Sequence, residues 1–177
     1  MPPAIRPAAP DDVLALAGLA ALTFPLACPP SVTPADQAAF ISDHLSPGRF
    51  REYLADAARR VLVAPDESGA LIGYAVLVLG EPYDEDARAA VSARPTVELS
   101  KFYVHPSLHG SGVASALMEA SLEAARDMGA VGVWLGVNQH NVRARRFYAK
   151  SGFAVVGVKH FTVGTAREDD YVLERAL

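Results

Sequence analysis

The sequence predicts an α/β fold built on one mixed, mostly antiparallel sheet flanked by helices. Three observations point there. Strand-like runs alternate with helical ones only in the middle of the chain, while both ends read as antiparallel. Asp66-Glu67-Ser68-Gly69 is a hairpin turn between two apolar runs. The 177 residues are 51% hydrophobic and 20% charged, enough for a sizeable core in one domain, read as 1–177.

The elements follow in order. A short strand at 4–7 leads into a helix at about 11–24, capped by Asp11 or Asp12 after Pro10 and ended near Pro29-Pro30. Its apolar run, 13–28, invites comparison with a secretory signal. Asp11 and Asp12 stand where a signal carries positive charge, and Pro25 stands where a lipoprotein site wants Leu. The run is also too short and too Ala-rich for a good membrane span. It reads as an amphipathic core helix.

A second helical region covers 34–57, broken at Pro47-Gly48. Residues 60–64 and 71–79 are the hairpin strands, and 81–95 is a polar loop with Asp84, Glu85 and Asp86. A strand at 96–104 is followed by a strong helix at 112–128. There Val113, Leu117, Ala120, Ala124 and Met128 keep helical spacing, with Gly129 as the stop. A buried strand at 131–137, a helix at 142–151 stopped by Gly152, and closing strands at 153–163 and 170–177 complete the chain.

Charge and cysteine count exclude some functions. The net charge of −4 and pI near 5.7 argue against binding nucleic acid through a basic face. The single Cys28 excludes an internal disulfide framework and any multi-cysteine metal site. No metal, nucleic acid or membrane partner is expected, and a cytoplasmic location is.

Chemistry concentrates in 97–118, VELSKFYVHPSLHGSGVASALM. A strand, a glycine-containing turn and a helix start in that order can form an anion site. The first-turn N–H groups and the helix dipole favour phosphate, and glycine lets the backbone approach it. An ordinary tight turn would read the same from this segment alone. The chain has no Gly-Lys pair, so a P-loop is excluded. Gly110-Ser111-Gly112-Val113-Ala114-Ser115 ends in Ser rather than Gly or Ala, and no acidic ribose partner follows about 20 residues on. A dinucleotide-binding domain loses ground accordingly.

YVHPSLHGSGVASALM resembles motif A of the GNAT superfamily of acetyl-CoA-dependent N-acetyltransferases, with its loop pattern Q/R-x-x-G-x-G/A mapping onto His109, Gly112 and Ala114. WLGVNQHNVRARRFYAKSGF resembles the family's second half, and IRPAAPDDVLALAGL its first strand and helix. The match spans nearly the whole chain in the expected order. The ending HFTVGTAREDDYVLERAL resembles in particular the PaiA-like branch, which acetylates polyamines. One departure is His109, where the family has Gln or Arg; backbone N–H groups supply most of the phosphate contact there.

The resemblance implies roles. Backbone groups of the segment Phe102, Tyr103 and Val104, chiefly those of Phe102 and Val104, would bind the pantetheine arm and polarise the thioester carbonyl. The N–H groups of His109, Gly110, Ser111, Gly112, Val113, Ala114 and Ser115 would hold the pyrophosphate, and Asn141 would touch pantetheine. Tyr148 would lie beside the sulfur as general acid, because a phenol with pKa near 10 still carries its proton at neutral pH. An aromatic anchor is the alternative for Tyr148. With an amine pKa near 10.4, about one amine in a few thousand is neutral at pH 7, a deficit of roughly 4–5 kcal/mol. Glu98 is the candidate base and His105 the second choice; a solvent-exposed carboxylate is the plainer reading of Glu98. His109, His140 and His160 read as turn or surface residues, His44 and Cys28 as structural.

The expected function is acetyl transfer from acetyl-CoA to a primary amine, directly within a ternary complex, with no metal. The alternative is a non-catalytic acyl-CoA-binding sensor on the same fold. The acidic runs 81–86 and 168–170 suggest a cationic acceptor, of which a polyamine is one candidate. A small amine, an antibiotic, an amino-acid amine and a protein N-terminus stay open, as does a homodimer.

Overall fold

The computed structural model describes residues 3–177, apart from the side chain of Phe161. Seven strands form one sheet in the order β1-β2-β3-β4-β5-β7-β6, from β1 (Arg6–Pro7), β2 (Arg59–Pro65), β3 (Leu71–Leu79), β4 (Thr96–Val104), β5 (Gly132–Asn138), β6 (Ala154–Val163) and β7 (Ala166–Ala176). Only β4 and β5 are parallel; every other neighbour pair is antiparallel. The expected fold class is the observed one.

The helices are α1 (Val13–Ala27), α2 (Pro34–His44), α3 (Pro47–Ala55), α4 (Glu85–Ala90), α5 (Val113–Asp127) and α6 (Val142–Lys150). They divide the core between the two faces of the sheet. On one face Leu117, Met118 and Leu122 of α5 meet Leu77, Val97, Leu99, Val133 and Leu135. On the other, Leu16 and Phe24 of α1 and Phe50 of α3 meet Val61, Val63, Tyr74 and Val76. The alternation of β2 and β3 side chains between the two faces fills both cores from the same strands.

Several boundaries differ from expectation. The first strand is only Arg6–Pro7. The first helix runs on through Pro25 to Ala27, and Cys28 is extended. Asp12 does not cap it with its side chain. Instead Asp12 accepts from the Ala9 N–H at 2.7 Å and receives both Arg6 nitrogens at 2.7 and 2.9 Å, closing the short 3-10 turn that precedes α1. The segment from Pro10 to Ala27 is long and apolar enough to cross a membrane by length and composition. It packs against α2, α3, β3 and β4 with Leu16 and Ala20 wholly buried, as a core helix does.

The expected polar loop at 81–95 contains α4, capped by Asp84 accepting from the Ala87 N–H at 2.9 Å. Burial of Ala87 and Val91 against Trp134 and Val172 holds this short helix on the sheet. The last strand starts at Ala166, four residues before the expected start at Asp170, and pairs with β5 from Asp170 to Ala176.

Candidate active site

The site begins where two adjacent strands part. β4 pairs with β3 from Val97 to Val104, but with β5 only through Thr96↔Gly132, Val97↔Val133 and Glu98↔Trp134. From Leu99 onward the β5-facing edge of β4 has no partner strand. An irregularity in the β3–β4 register makes Ser100 the extra residue between the Leu77↔Leu99 and Val76↔Lys101 pairs, and such a bulge bends and twists its strand. The direction of the open edge follows from one bond: the His105 N–H donates to Ile72 O at 2.8 Å, toward β3. Backbone groups alternate sides along a strand, so Tyr103 also faces β3, while the N–H and C=O of Phe102 and Val104 face the opening.

Below this edge the chain turns into α5. Gly110 and Gly112 take φ of 85° and 89°, a left-handed conformation natural to glycine and strained for other residues. Thr33, Ser46, Asp84 and Asn141 each close a helix with a side-chain oxygen, whereas α5 starts at Gly112 without one. The N–H groups of Val113, Ala114 and Ser115 lie in the first turn, before the 116→112 bond, with the positive end of the helix dipole behind them. His109, Gly110 and Ala114 line the adjoining cavity, together with Arg143. Partial desolvation, and then Arg143, hold the His109 imidazole below its ordinary pKa, so the loop's charge comes from backbone dipoles and Arg143.

The cavity has a volume of about 680 Å³ and draws its walls from both faces of the sheet, through the gap between β4 and β5. Tyr148 reaches it from α6. Its ring packs edge-on against Phe102, Phe147 and Phe153, with centroids 6.2, 5.5 and 5.9 Å away. Burial pushes the phenol pKa well above its ordinary value, and Tyr103 adds to this, so Tyr148 keeps its proton at any working pH. Tyr148 is therefore both an aromatic anchor and a protonated donor on the cavity wall. Asn141 also lines the wall, with its side-chain oxygen engaged as the α6 cap (Ala144 N–H, 3.1 Å) and its Nδ2 left to donate.

The other end of the cavity is polar. Glu98 is half-buried on its wall, and burial pushes its carboxyl upward against the pull of Lys101 and Lys159. Because Ser100 is the bulged residue, Glu98 and Lys101 come to share the face opposite Val97, Leu99 and Phe102. Lys159 and Asp170 form a buried ion pair at 3.8 Å. Burial raises the Asp170 carboxyl to about 6. Gly136 makes room for that pair: a Cβ there would sit 2.6 Å from Lys159 Cε.

Sequence reasoning missed Lys101, Lys159 and Tyr83 on this wall. Lys101 was legible only as the next charged residue beyond Glu98, because the alternation of a regular strand places it on the opposite face. Cys28 and His44 also belong to the wall, although both sit outside the motifs. Burial raises the Cys28 thiol to about 11, and the thiol donates weakly to Phe24 O at 3.4 Å, so it is a poor nucleophile. His105 lies outside the cavity lining; its Nδ1 accepts from the Ser107 N–H at 3.2 Å and contacts Ser107 Oγ at 2.7 Å, capping a turn. His160 pairs with Asp169 at 2.7 Å, on the exposed surface. Among the described residues there is no cluster of three or more metal-ligating side chains.

Comparison with known proteins decides the family. The profile of the Acetyltransferase (GNAT) family matches residues 28–153. The chain belongs to the GNAT family. This GNAT acetyltransferase is 48% identical over 166 residues to a protein described as an uncharacterized N-acetyltransferase of Mycobacterium tuberculosis, covering 94% of the chain and 98% of that relative. It is 32% identical over 119 residues to the streptothricin acetyltransferase of Streptomyces lavendulae, covering 67% and 57% of the two chains. The fold superimposes on a PaiA N-acetyltransferase of Thermoplasma acidophilum in complex with coenzyme A, with TM-score 0.78, 18% identity and full coverage of both chains. The chain is thus an acetyl-CoA-dependent acyltransferase, and its recognition from motif A and the 134–153 segment holds.

The glycine turn supplies a direct test. Gly112→Asp places a negative side chain at the start of α5, and we expect CoA affinity to fall tenfold or more in calorimetry, about 1.4 kcal/mol. Unchanged affinity in a folded variant would remove the pyrophosphate from this turn.

Proposed function

We propose that the chain, as one catalytic domain, transfers acetyl from acetyl-CoA to a primary amine directly, within a ternary complex. The observation that carries this reading is the unpaired edge of β4 opening onto both the bare N-terminus of α5 and the Tyr148 phenol. The Phe102 and Val104 backbone would pair with the pantetheine arm as a missing strand would. The 109–115 turn would receive the pyrophosphate, and Asn141 Nδ2 would donate to the arm.

The chemistry then assigns itself to two ends of one cavity. The amine approaches from the Glu98 side and must arrive neutral. Glu98, whose carboxyl burial pushes upward and so makes more basic, takes the ammonium proton directly or through water when it is ionised. The amine nitrogen attacks the thioester carbon, a C–N bond forms, and the C–S bond breaks. Tyr148 gives its proton to the leaving sulfur and is reprotonated from the proton the amine released. The products are an N-acetylamine and free CoA thiol. A covalent acetyl-cysteine intermediate finds no support in Cys28, whose thiol burial keeps protonated.

A non-catalytic acyl-CoA sensor would need the pantetheine groove but neither end of this proton path. The polyamine refinement rests on the acidic runs, and the structure commits much of that charge locally. Asp84 caps α4, Asp169 pairs with His160, Asp170 with Lys159, and Glu168 bonds Ser31 and Asn138. Support for a polycation now comes only from the sequence likeness of the ending.

Release of CoA thiol over a panel of amines tests the reaction class. Tyr148→Phe keeps the ring and removes the donor, so we expect kcat to fall 10²-fold or more with CoA affinity little changed; kcat within threefold of wild type would reduce Tyr148 to an anchor. The pH profile tests Glu98. Its carboxyl titrates above the ordinary range, so kcat/KM should rise with pH as Glu98 and the amine both lose protons. Glu98→Gln should depress the rate more at neutral than at alkaline pH, where free amine is abundant; an equal loss at both would exclude Glu98 as base.

A further inference from the structure

The acceptor end of the cavity carries two carboxylates and two ammonium groups, and their pairing is uneven. Lys159 and Asp170 neutralise each other at 3.8 Å. Glu98 and Lys101 do not: among the described residues neither forms an ion pair. The Lys101 ammonium has only a marginal contact to Ser100 Oγ at 3.4 Å and the face of the Tyr53 ring at 5.1 Å. Arg59 also lies over that ring, at 4.8 Å, but its guanidinium is held by Asp56 at 3.0 Å. Glu98 attracts this half-buried cation from beyond salt-bridge distance, and a cation lining a cavity with no carboxylate in direct contact is an incomplete electrostatic arrangement that an anion from outside can complete.

On this basis the geometry points to Lys101 as the recognition site for an acid group on the acceptor, so that the substrate is a small zwitterion: an amine that also carries a carboxylate. The inference rests on the acetyltransferase reading and names its acceptor class. Glu98 and Lys101 share one face of β4 only because Ser100 is bulged out between them. A zwitterion would lay its amine toward Glu98 and its carboxylate toward Lys101, neutralising both groups at once. A diamine would meet Glu98 equally well but would set its second ammonium against Lys101, and like charges in a partly desolvated site repel strongly. Burial lowers the Lys101 ammonium pKa to about 8, with Arg59 adding to the fall, and the attraction of Glu98 offsets only part of it, the direction expected of a cation that lacks a full complement of partners.

The test measures kcat/KM for a set of L-amino acids, each beside its C-terminal carboxamide, with spermidine and a neutral monoamine in the same panel. The wild-type enzyme should prefer the carboxylate over the matched carboxamide tenfold or more. Amine ionisation cannot produce that preference, because the carboxamide's amine is less basic and so more abundant as free base. Lys101→Met should collapse the ratio toward unity mainly through KM, and Lys101→Arg should keep part of it; CoA binding by calorimetry verifies that each variant folds. Turnover of spermidine or the monoamine with no preference for carboxylates overturns the inference and leaves the acetyltransferase reading intact. A carboxylate preference that survives Lys101→Met also overturns it. No turnover of any amine by protein that binds acetyl-CoA overturns the acetyltransferase reading and the inference together.

Discussion

The constraint on which the site depends is the parting of β4 from β5. Each strand has a complete partner on its far side: β3 for β4, β7 for β5. Their shared parallel pairing ends at Glu98↔Trp134. The bulge at Ser100 turns the remainder of β4 away, and the backbone of Phe102 and Val104 is left facing open space. Unpaired backbone in a sheet interior is costly unless something completes it. A pantetheine arm, with its own amides, can do so without another strand.

The same parting joins two environments that a continuous sheet would separate. One side is aromatic and apolar, with Tyr148 among Phe102, Phe147 and Phe153. The other carries Glu98, Lys101 and the Lys159–Asp170 pair. A thioester placed in the gap would have a protonated phenol on its leaving-group side and a carboxylate on its nucleophile side. Burial raises both groups, so residue type sets the two roles: the phenol keeps its proton and the carboxyl is the group that ionises first.

Much of this was legible in the sequence, for identifiable reasons. The limits of β3 follow from an apolar run with turn residues on either side, those of β4 from its place between Pro95 and Pro106, and Gly112 marked the start of α5. Where local signals competed with packing, packing decided. The expected bound at about 24 falls short of the observed end of α1: Pro25 lies within the last turn, where the helix continues to Ala27 with Phe24 buried. α4 has six residues and no strong periodicity; contact with Trp134 makes it a helix. Lys101 was hidden by the bulge, since one extra residue reverses the face of everything beyond it. Cys28 and His44 reach the cavity wall because α1 packs on β4 and α2 packs on α1, a relation that no motif records.

The account is tested most directly by residue-resolved amide hydrogen exchange with and without CoA. Because the opened edge of β4 and the bare first turn of α5 are its central claim, CoA should slow exchange at Phe102 and Val104 and at Val113, Ala114 and Ser115. The Tyr103 amide, which already faces β3, should change little by comparison. Tight CoA binding with no added protection at these amides, or with protection confined to another part of the sheet, would contradict it.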